Sequence, residues 1–290
     1  MLKEGGTEFF FTRHTKRGES EAYPGISEEG VELAKERALD IIEKIESSPP
    51  GTITVLLGVS PLERTRSTMK VYWEGIRERL EGREDVVVIS QEEIKDLYRK
   101  ERGVHKTIEA IKKRIAENPK AKVVIEFPLA IGGLDIVKEW YHPEDINKPP
   151  EERRFSAYVD HLGGIERFRK ERDKVLKQWF DEKGIVNGEQ LGPNPQKIAE
   201  EYFEALRRME GFVRKIFPQE PLRIIFVGHS VEGDAFLTFL ANQGEVSSEG
   251  FEKIGGKQIE ETEPAEIILE GDTIKLSYRD KEFEYTPKES

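Results

Sequence analysis

The stretch Glu8-Phe9-Phe10-Phe11-Thr12-Arg13-His14 decides the fold. Three consecutive aromatic residues predict a short buried strand, and a cation and an imidazole follow where that strand should end. In open α/β sheets, ligands bind at the carboxyl ends of the strands, because the loops there converge on one crevice. Arg13 and His14 are therefore expected to meet an anion.

Two later stretches repeat this arrangement of an apolar run followed by a charged or titratable side chain. They are Val59-Ser60-Pro61-Leu62-Glu63-Arg64-Thr65 and Phe226-Val227-Gly228-His229-Ser230. If all three runs are parallel strands of one sheet, Arg13, His14, Arg64 and His229 emerge at the same edge of it.

The pattern between these stretches predicts an α/β fold. Strands predicted at 52–59 and 86–89 alternate with helices that open at Ser27 and near Pro61, which implies βαβ crossovers. We therefore expect a three-layer sandwich with a largely parallel central sheet flanked by helices. Three short alternating runs between 265 and 285 predict an antiparallel edge of that sheet at the C-terminal end.

Residues 99–195 interrupt the pattern. We interpret them as a helical insertion within a single domain of residues 1–290, placed on the ligand side of the sheet. The loop at 129–156 contains Gly132-Gly133 and the basic residues Lys148, Arg153 and Arg154, which suits a lid that selects an anionic substrate.

Composition limits the classes of function. Hydrophobic and charged residues each make up 36% of the 290 residues, as in soluble globular proteins, and the net charge of −11 argues against a general nucleic-acid binder. No cysteine is present, so disulfides and thiolate chemistry are excluded. No apolar run approaches the ~20 residues of a membrane helix, and we expect a cytoplasmic protein without a membrane partner.

Taken in order, the motifs resemble those of the histidine phosphatase superfamily, also called phosphoglycerate mutase-like. Its members carry Arg-His-Gly after the first strand, Ser-Pro-Leu-x-Arg-x-x-x-Thr, and a second His after a late strand. This chain has Arg13-His14-Thr15, then the segment Ser60 to Thr68, then Gly228-His229-Ser230. The resemblance covers roughly residues 7–98 and 196–285.

The resemblance implies a phosphomonoesterase that acts on a phosphorylated small molecule and needs no metal. His14 is then the nucleophile that forms a phosphohistidine, and Arg13 and Arg64 bind the phosphate oxygens. Arginine suits this role because its planar fork pairs with phosphate bidentately and stays charged. His229 supplies a further donor to the transferring phosphoryl group.

The chain departs from the family pattern at three places. Thr15 stands where Gly is usual, and Ser20 stands where many members have an Asn that touches phosphate, so we expect both to bind phosphate. The proton donor often lies in a Leu-x-Glu after the third strand, where Asp96 fits best and Glu93 second. Two alternatives stay open: a phosphoglycerate-type mutase, and a catalytically silent module that binds a phosphorylated ligand or protein.

Overall fold

The computed structural model describes residues 5–57, 62–127 and 155–287. Numbered in chain order, its strands are β1 (Thr7–Arg13), β2 (Ile53–Leu57), β3 (Val86–Ile89), β4 (Lys122–Phe127), β5 (Ile185–Val186), β6 (Glu189–Gln190), β7 (Leu222–Gly228), β8 (Pro264–Glu270), β9 (Thr273–Tyr278) and β10 (Lys281–Tyr285). Its helices are α1 (Glu28–Glu46), α2 (Glu63–Leu80), α3 (Gln91–Glu101), α4 (Val104–Ala116), α5 (Phe155–His161), α6 (Gly164–Glu182), α7 (Pro195–Ile216), α8 (Ser230–Ala241) and α9 (Ser248–Lys253).

The chain divides into two compact units. Unit 1 comprises Met1–Gly132, Met209–Gly228 and Glu261–Leu269, and unit 2 comprises Gly133–Arg208, His229–Glu260 and Glu270–Ser290. Each unit is therefore assembled from three separate segments of the sequence.

Unit 1 contains a sheet with the strand order β8-β1-β7-β2-β4-β3. The pairs β1–β7, β7–β2, β2–β4 and β4–β3 are parallel, and β8 runs antiparallel to β1 at one edge. The predicted α/β class, with a largely parallel sheet and an antiparallel C-terminal edge, is confirmed.

The central strands of unit 1 are buried on both faces, which explains their uninterrupted apolar runs. On one face, Phe10, Leu56 and Ile225 pack in a single cluster with apolar residues of α1 and α2. On the other face, β1 presents Phe9 and Phe11, and the ring of Phe226 on β7 lies 6.3 Å from that of Phe9 and 5.1 Å from that of Phe11. Helix α1 begins as predicted, because the Ser27 side chain accepts from the Gly30 N–H in a typical N-cap.

The predicted insertion at 99–195 differs from the structure at its beginning. Strand β4, at 122–127, lies between β2 and β3 in the central sheet, and Val123, Val124 and Ile125 are fully buried there. This part of the range therefore belongs to the core of unit 1. The predicted lid loop at 129–156, with Lys148, Arg153 and Arg154, lies almost entirely outside the described residues.

Unit 2 has its own aromatic core on α5 and α6. The ring of Trp179 lies 4.6 Å from that of Phe155 and 5.3 Å from that of Phe180, and both Trp179 and Phe180 are fully buried. Strands β5 and β6 form a short antiparallel ribbon, and β9 and β10 form an antiparallel hairpin. Among the helices at 28–116 and 155–253, none has the length and apolar character to cross a membrane.

Candidate active site

The site is centred on the carboxyl end of β1 in unit 1. Arg13, the last residue of β1, is in register with Gly228, the last residue of β7. The backbone N–H of His14 then donates to the Gly228 carbonyl at 3.0 Å, which extends the parallel pairing by one step. This bond fixes the backbone of His14 at the edge of the sheet where ligands of open α/β folds bind.

The imidazole of His14 is buried and held in one tautomer. The side chain is 4% exposed, and its Nδ1 lies 2.7 Å from the backbone oxygen of Thr15. A carbonyl oxygen can only accept, so Nδ1 carries the proton and donates it to Thr15. Nε2 is consequently the nitrogen with the lone pair.

The surroundings of His14 keep this ring uncharged. Burial is the largest cause, and the positive charges of Arg64, Arg13 and Arg17 add to it, so that the pKa of His14 falls from 6.5 to about 3. Desolvation and nearby cations both disfavour the imidazolium form. His14 therefore keeps its lone pair at physiological pH, as a nucleophile requires.

The two predicted phosphate-binding arginines are both close enough to His14 to affect its pKa. Arg13 lies on β1, and Arg64 lies in the first turn of α2. Sequence reasoning did not include Arg17, the third cation that acts on His14, although it lies in the polar loop just after it. Ser60 and Pro61 of the second motif lie outside the described residues.

Thr15 and Ser20 do not offer their hydroxyl protons to a ligand in this structure. The Thr15 hydroxyl donates to the Gly30 carbonyl at 2.7 Å, and the Ser20 hydroxyl donates to the Tyr23 carbonyl at 3.0 Å. A hydroxyl has one proton to donate, so each is committed to a backbone oxygen. The phosphate contacts expected of both residues stay predictions, and the geometry does not favour them.

A carboxylate that sequence reasoning missed lies against Arg13. Glu261 Oε1 is 3.1 Å from an Arg13 guanidinium nitrogen, and the two side chains are 26% and 12% exposed. The next residue, Thr262, has a φ of 58°, which is strained for a β-branched side chain. Its N–H donates to the Arg13 carbonyl at 3.1 Å and its carbonyl accepts from Arg37 at 2.8 Å, which stabilises this conformation. A phosphate that binds Arg13 must share it with Glu261 or displace Glu261.

The predicted proton donors lie on the helix that follows strand β3, and each of them pairs with an arginine. Asp96 lies on α3, is 73% exposed and pairs with Arg99 at 3.0 Å, and Glu93 pairs with Arg114. Helix α3 follows the edge strand β3, which is separated from β1 by β7, β2 and β4. With strands spaced about 4.8 Å apart, four steps place β3 roughly 19 Å from β1. Asp96 as the donor stays a prediction, without support from this placement.

A half-buried carboxylate at the beginning of α3 has a structural role. Glu126, near the end of β4, has a pKa raised chiefly by burial, and it accepts from the Gln91 N–H at 3.2 Å. A carboxylate at the first residue of a helix satisfies an otherwise unbonded N–H group and interacts favourably with the helix dipole. Glu126 thus holds the beginning of α3 against β4.

The second predicted histidine is the first residue of the second segment of unit 2. His229 follows Gly228 in the chain, is 3% exposed, and occupies the N-cap position of α8, where its carbonyl accepts from the Gly233 N–H at 3.2 Å. Two carboxylates on α8, Glu232 and Asp234, are each 1% exposed. Asp234 accepts from the Ile259 N–H at 2.8 Å, while burial, and after it the charge of Glu232, raises the pKa of Tyr202. Glu232 and Asp234 stand among mainly apolar residues in the sequence of α8, and this pattern could have indicated that the two acids are buried.

Comparison with known proteins adds little. No protein-family model matches the chain, and no curated protein matches it. Among solved structures, the open reading frame Rv3214 from Mycobacterium tuberculosis is 11% identical, with a TM-score of 0.42 over 93% of this chain and 95% of that chain. The mycobacterial glucosyl-3-phosphoglycerate phosphatase Rv2419c is 10% identical, with a TM-score of 0.39 over 90% of this chain and 89% of that one. No residue role and no substrate follows from likenesses this distant.

Proposed function

We propose that this protein is a phosphomonoesterase that transfers a phosphoryl group from a phosphorylated small molecule to Nε2 of His14, and then to water. One observation carries the proposal. His14 is buried at a strand end, its Nδ1 is bonded to the Thr15 carbonyl, and arginines surround an uncharged ring. A structural histidine on a solvated surface needs none of these features.

In the first step, the lone pair on Nε2 attacks phosphorus. The N–P bond forms as the P–O bond to the leaving group breaks, and the leaving oxygen receives that electron pair and a proton from an acid. Because the pKa of His14 is near 3, the ring does not need to lose a proton before it attacks.

The cations near His14 make this attack possible on a dianion. A phosphate monoester repels nucleophiles, and preorganised positive donors in a site that excludes water offset this repulsion as charge develops. Arg13 and Arg64 are the donors that we assign to the phosphate oxygens, and His229 is a predicted third donor. Glu261 limits the net positive charge at Arg13 until the substrate binds.

In the second step, a water molecule attacks the phosphohistidine. Its oxygen bonds to phosphorus, the N–P bond breaks, and Nε2 recovers its electron pair, while water gives a proton to the conjugate base of the acid that acted in the first step. Inorganic phosphate leaves and His14 returns to its first state. Two steps with a covalent intermediate replace one difficult hydrolysis.

The proposal is tested by labelling and turnover of the full chain. Rapid quenching after mixing with a ³²P-labelled aryl phosphate should give a label that is acid-labile and base-stable, and His14→Gln should abolish both label and turnover. His105→Gln is the matched control, because His105 is exposed on α4 and should leave both unchanged. A label that persists in His14→Gln, or a wild type without turnover, contradicts the proposal, and the latter outcome indicates a silent binding module.

A further inference from the structure

Thr15, the residue after His14, makes hydrogen bonds with its carbonyl, its N–H and its hydroxyl. The residue is fully buried. Its carbonyl accepts from His14 Nδ1 at 2.7 Å, its N–H donates to the Thr68 hydroxyl at 3.2 Å, and its own hydroxyl donates to the Gly30 carbonyl at 2.7 Å. Every polar group of Thr15 is thus bonded, and α1 and α2 each supply one of the partners.

The Thr15 side chain also fits the surface of α1 closely. A β-carbon added to Gly30 would lie 2.7 Å from the Lys16 carbonyl oxygen and 3.2 Å from the Thr15 methyl group. Only glycine lets the helix approach this near. The contact places the Gly30 carbonyl within hydrogen-bond distance of the Thr15 hydroxyl. A glycine at position 15 has no side chain and could not make this bond.

A chain of hydrogen bonds links Thr15 to Arg64 on helix α2. The Thr68 hydroxyl that accepts from the Thr15 N–H donates its own proton to the Arg64 carbonyl at 2.7 Å. The peptide after His14 is therefore connected to the first turn of α2, which carries Arg64. Rotation of this peptide would break the hydrogen bond from the Thr15 N–H to Thr68. Loss of the Thr15 hydroxyl would break the hydrogen bond to the Gly30 carbonyl on α1.

We infer that Thr15 is a positioning residue for His14. Its side chain holds the carbonyl that keeps the proton on Nδ1 and the lone pair on Nε2. Without this acceptor in place, the proton can move to Nε2, and the lone pair then lies on the wrong atom. In the serine-protease triad a wrong histidine tautomer costs about 10⁴-fold in rate. The catalytic meaning of this inference rests on the proposed function, but the tautomer itself does not.

The test reads the His14 tautomer directly, by long-range ¹H–¹⁵N correlation spectra of the full chain with ¹⁵N-labelled histidine. His14→Gln assigns the signal. The wild type should show a protonated Nδ1 and an unprotonated Nε2. Thr15→Val should shift both nitrogens toward averaged values and slow the phosphorylation of His14 on the order of 10- to 100-fold, the scale of a small misplacement. Thr15→Ser keeps the hydroxyl and should retain the wild-type spectrum.

Thr52→Val is the matched control, because the buried Thr52 hydroxyl also donates to a backbone carbonyl, that of Pro49, at 2.8 Å. Its His14 signals should not change. If Thr15→Val does not fold, Thr15→Ala and Thr15→Gly remove the hydroxyl without adding volume. A folded variant without the hydroxyl that keeps the wild-type spectrum overturns the inference. If the spectra change as expected but no phosphohistidine forms in the wild type, the proposed function is contradicted while the inference about the His14 tautomer stands.

Discussion

The two ends of β1 both bury charged or titratable groups, and they do so in opposite ways. At the amino end, Glu8 and Arg223 are each 6% exposed and in register on β1 and β7, with contacts of 2.8 Å and 3.1 Å between them. At the carboxyl end, Arg13, Arg64 and Arg17 act on the uncharged ring of His14. One end is a closed ion pair, while the other concentrates cations around a neutral imidazole.

This difference separates a structural from a functional use of burial. The charges of Glu8 and Arg223 are satisfied within the fold, since Arg223 also donates to the Lys44 carbonyl and the Ser48 hydroxyl. Such a pair holds α1 against the sheet but has nothing to offer a ligand. At the other end, burial first and the charges of Arg64, Arg13 and Arg17 after it lower the pKa of His14, and a titratable group perturbed in this way is typical of a functional site.

The largest effect is expected at the amino end. Arg223→Met leaves the Glu8 carboxylate buried without its partner, which should reduce the free energy of unfolding by about 3–5 kcal/mol. Urea denaturation measures this loss. The double variant Glu8→Leu, Arg223→Met should recover most of it, because two apolar side chains leave no buried charge. A single variant as stable as the wild type would show that this end is not a closed pair.

At the carboxyl end, Arg64→Ala should reduce kcat for an aryl phosphate on the order of 10²- to 10³-fold, as when one preorganised donor is removed. The bond from Thr68 should survive this substitution, because it is made to the backbone of Arg64 and not to its side chain. Arg66→Ala, an exposed neighbour on the same helix turn, is the matched control and should keep full activity. Equal losses in both variants would mean that the helix, and not the Arg64 guanidinium, is being measured.

The pH dependence of stability should also distinguish the two ends. The pKa of His14 is about 3 in the folded protein and 6.5 when unperturbed, so between these values only the unfolded chain binds the proton. Stability due to this group therefore falls as the pH drops from 6.5 toward 3, by on the order of a few kcal/mol. Urea denaturation from pH 7.5 to 4 should show this fall, and His14→Gln should remove it. His105→Gln should retain it, and a slope unchanged in His14→Gln would contradict the burial of a neutral ring.

The sequence predicted most of the elements, because local signals specify them. The Ser27 N-cap, the strand that ends at Gly228 and the three C-terminal strands are all present, each read from a helix-cap residue or a periodicity. The position of a strand within a sheet has no such signal. The sequence pattern therefore assigns β4 to the insertion, although in the structure β4 pairs with β2 and β3.

Contacts between distant parts of the chain also have no local sequence signal, and this explains why three features of the candidate site were not predicted. Glu261 approaches Arg13 through the antiparallel pairing of β8 with β1, a contact between distant parts of the chain that no local pattern indicates. The engagement of Thr15 with Gly30 depends on how closely α1 approaches the sheet. The prediction of Asp96 rests on its resemblance to the family's Leu-x-Glu after the third strand, a local pattern that does not indicate where this strand lies in the sheet, and β3 lies at the far edge from β1.

The smallest effect is expected for Asp96→Asn. Asp96 is 73% exposed and its partner Arg99 is 75% exposed, and such a surface pair contributes about 0–1 kcal/mol. Because β3 lies about four strand spacings from β1, we expect kcat to change less than about twofold with both alkyl and nitrophenyl phosphates. The comparison of leaving groups makes the test sharp, since loss of a general acid slows poor leaving groups about 10²- to 10⁴-fold and spares good ones. Glu93→Gln, measured in the same way, covers the second candidate. If Asp96→Asn is slow with the alkyl phosphate alone, Asp96 is the proton donor after all, and α3 must reach His14 during turnover.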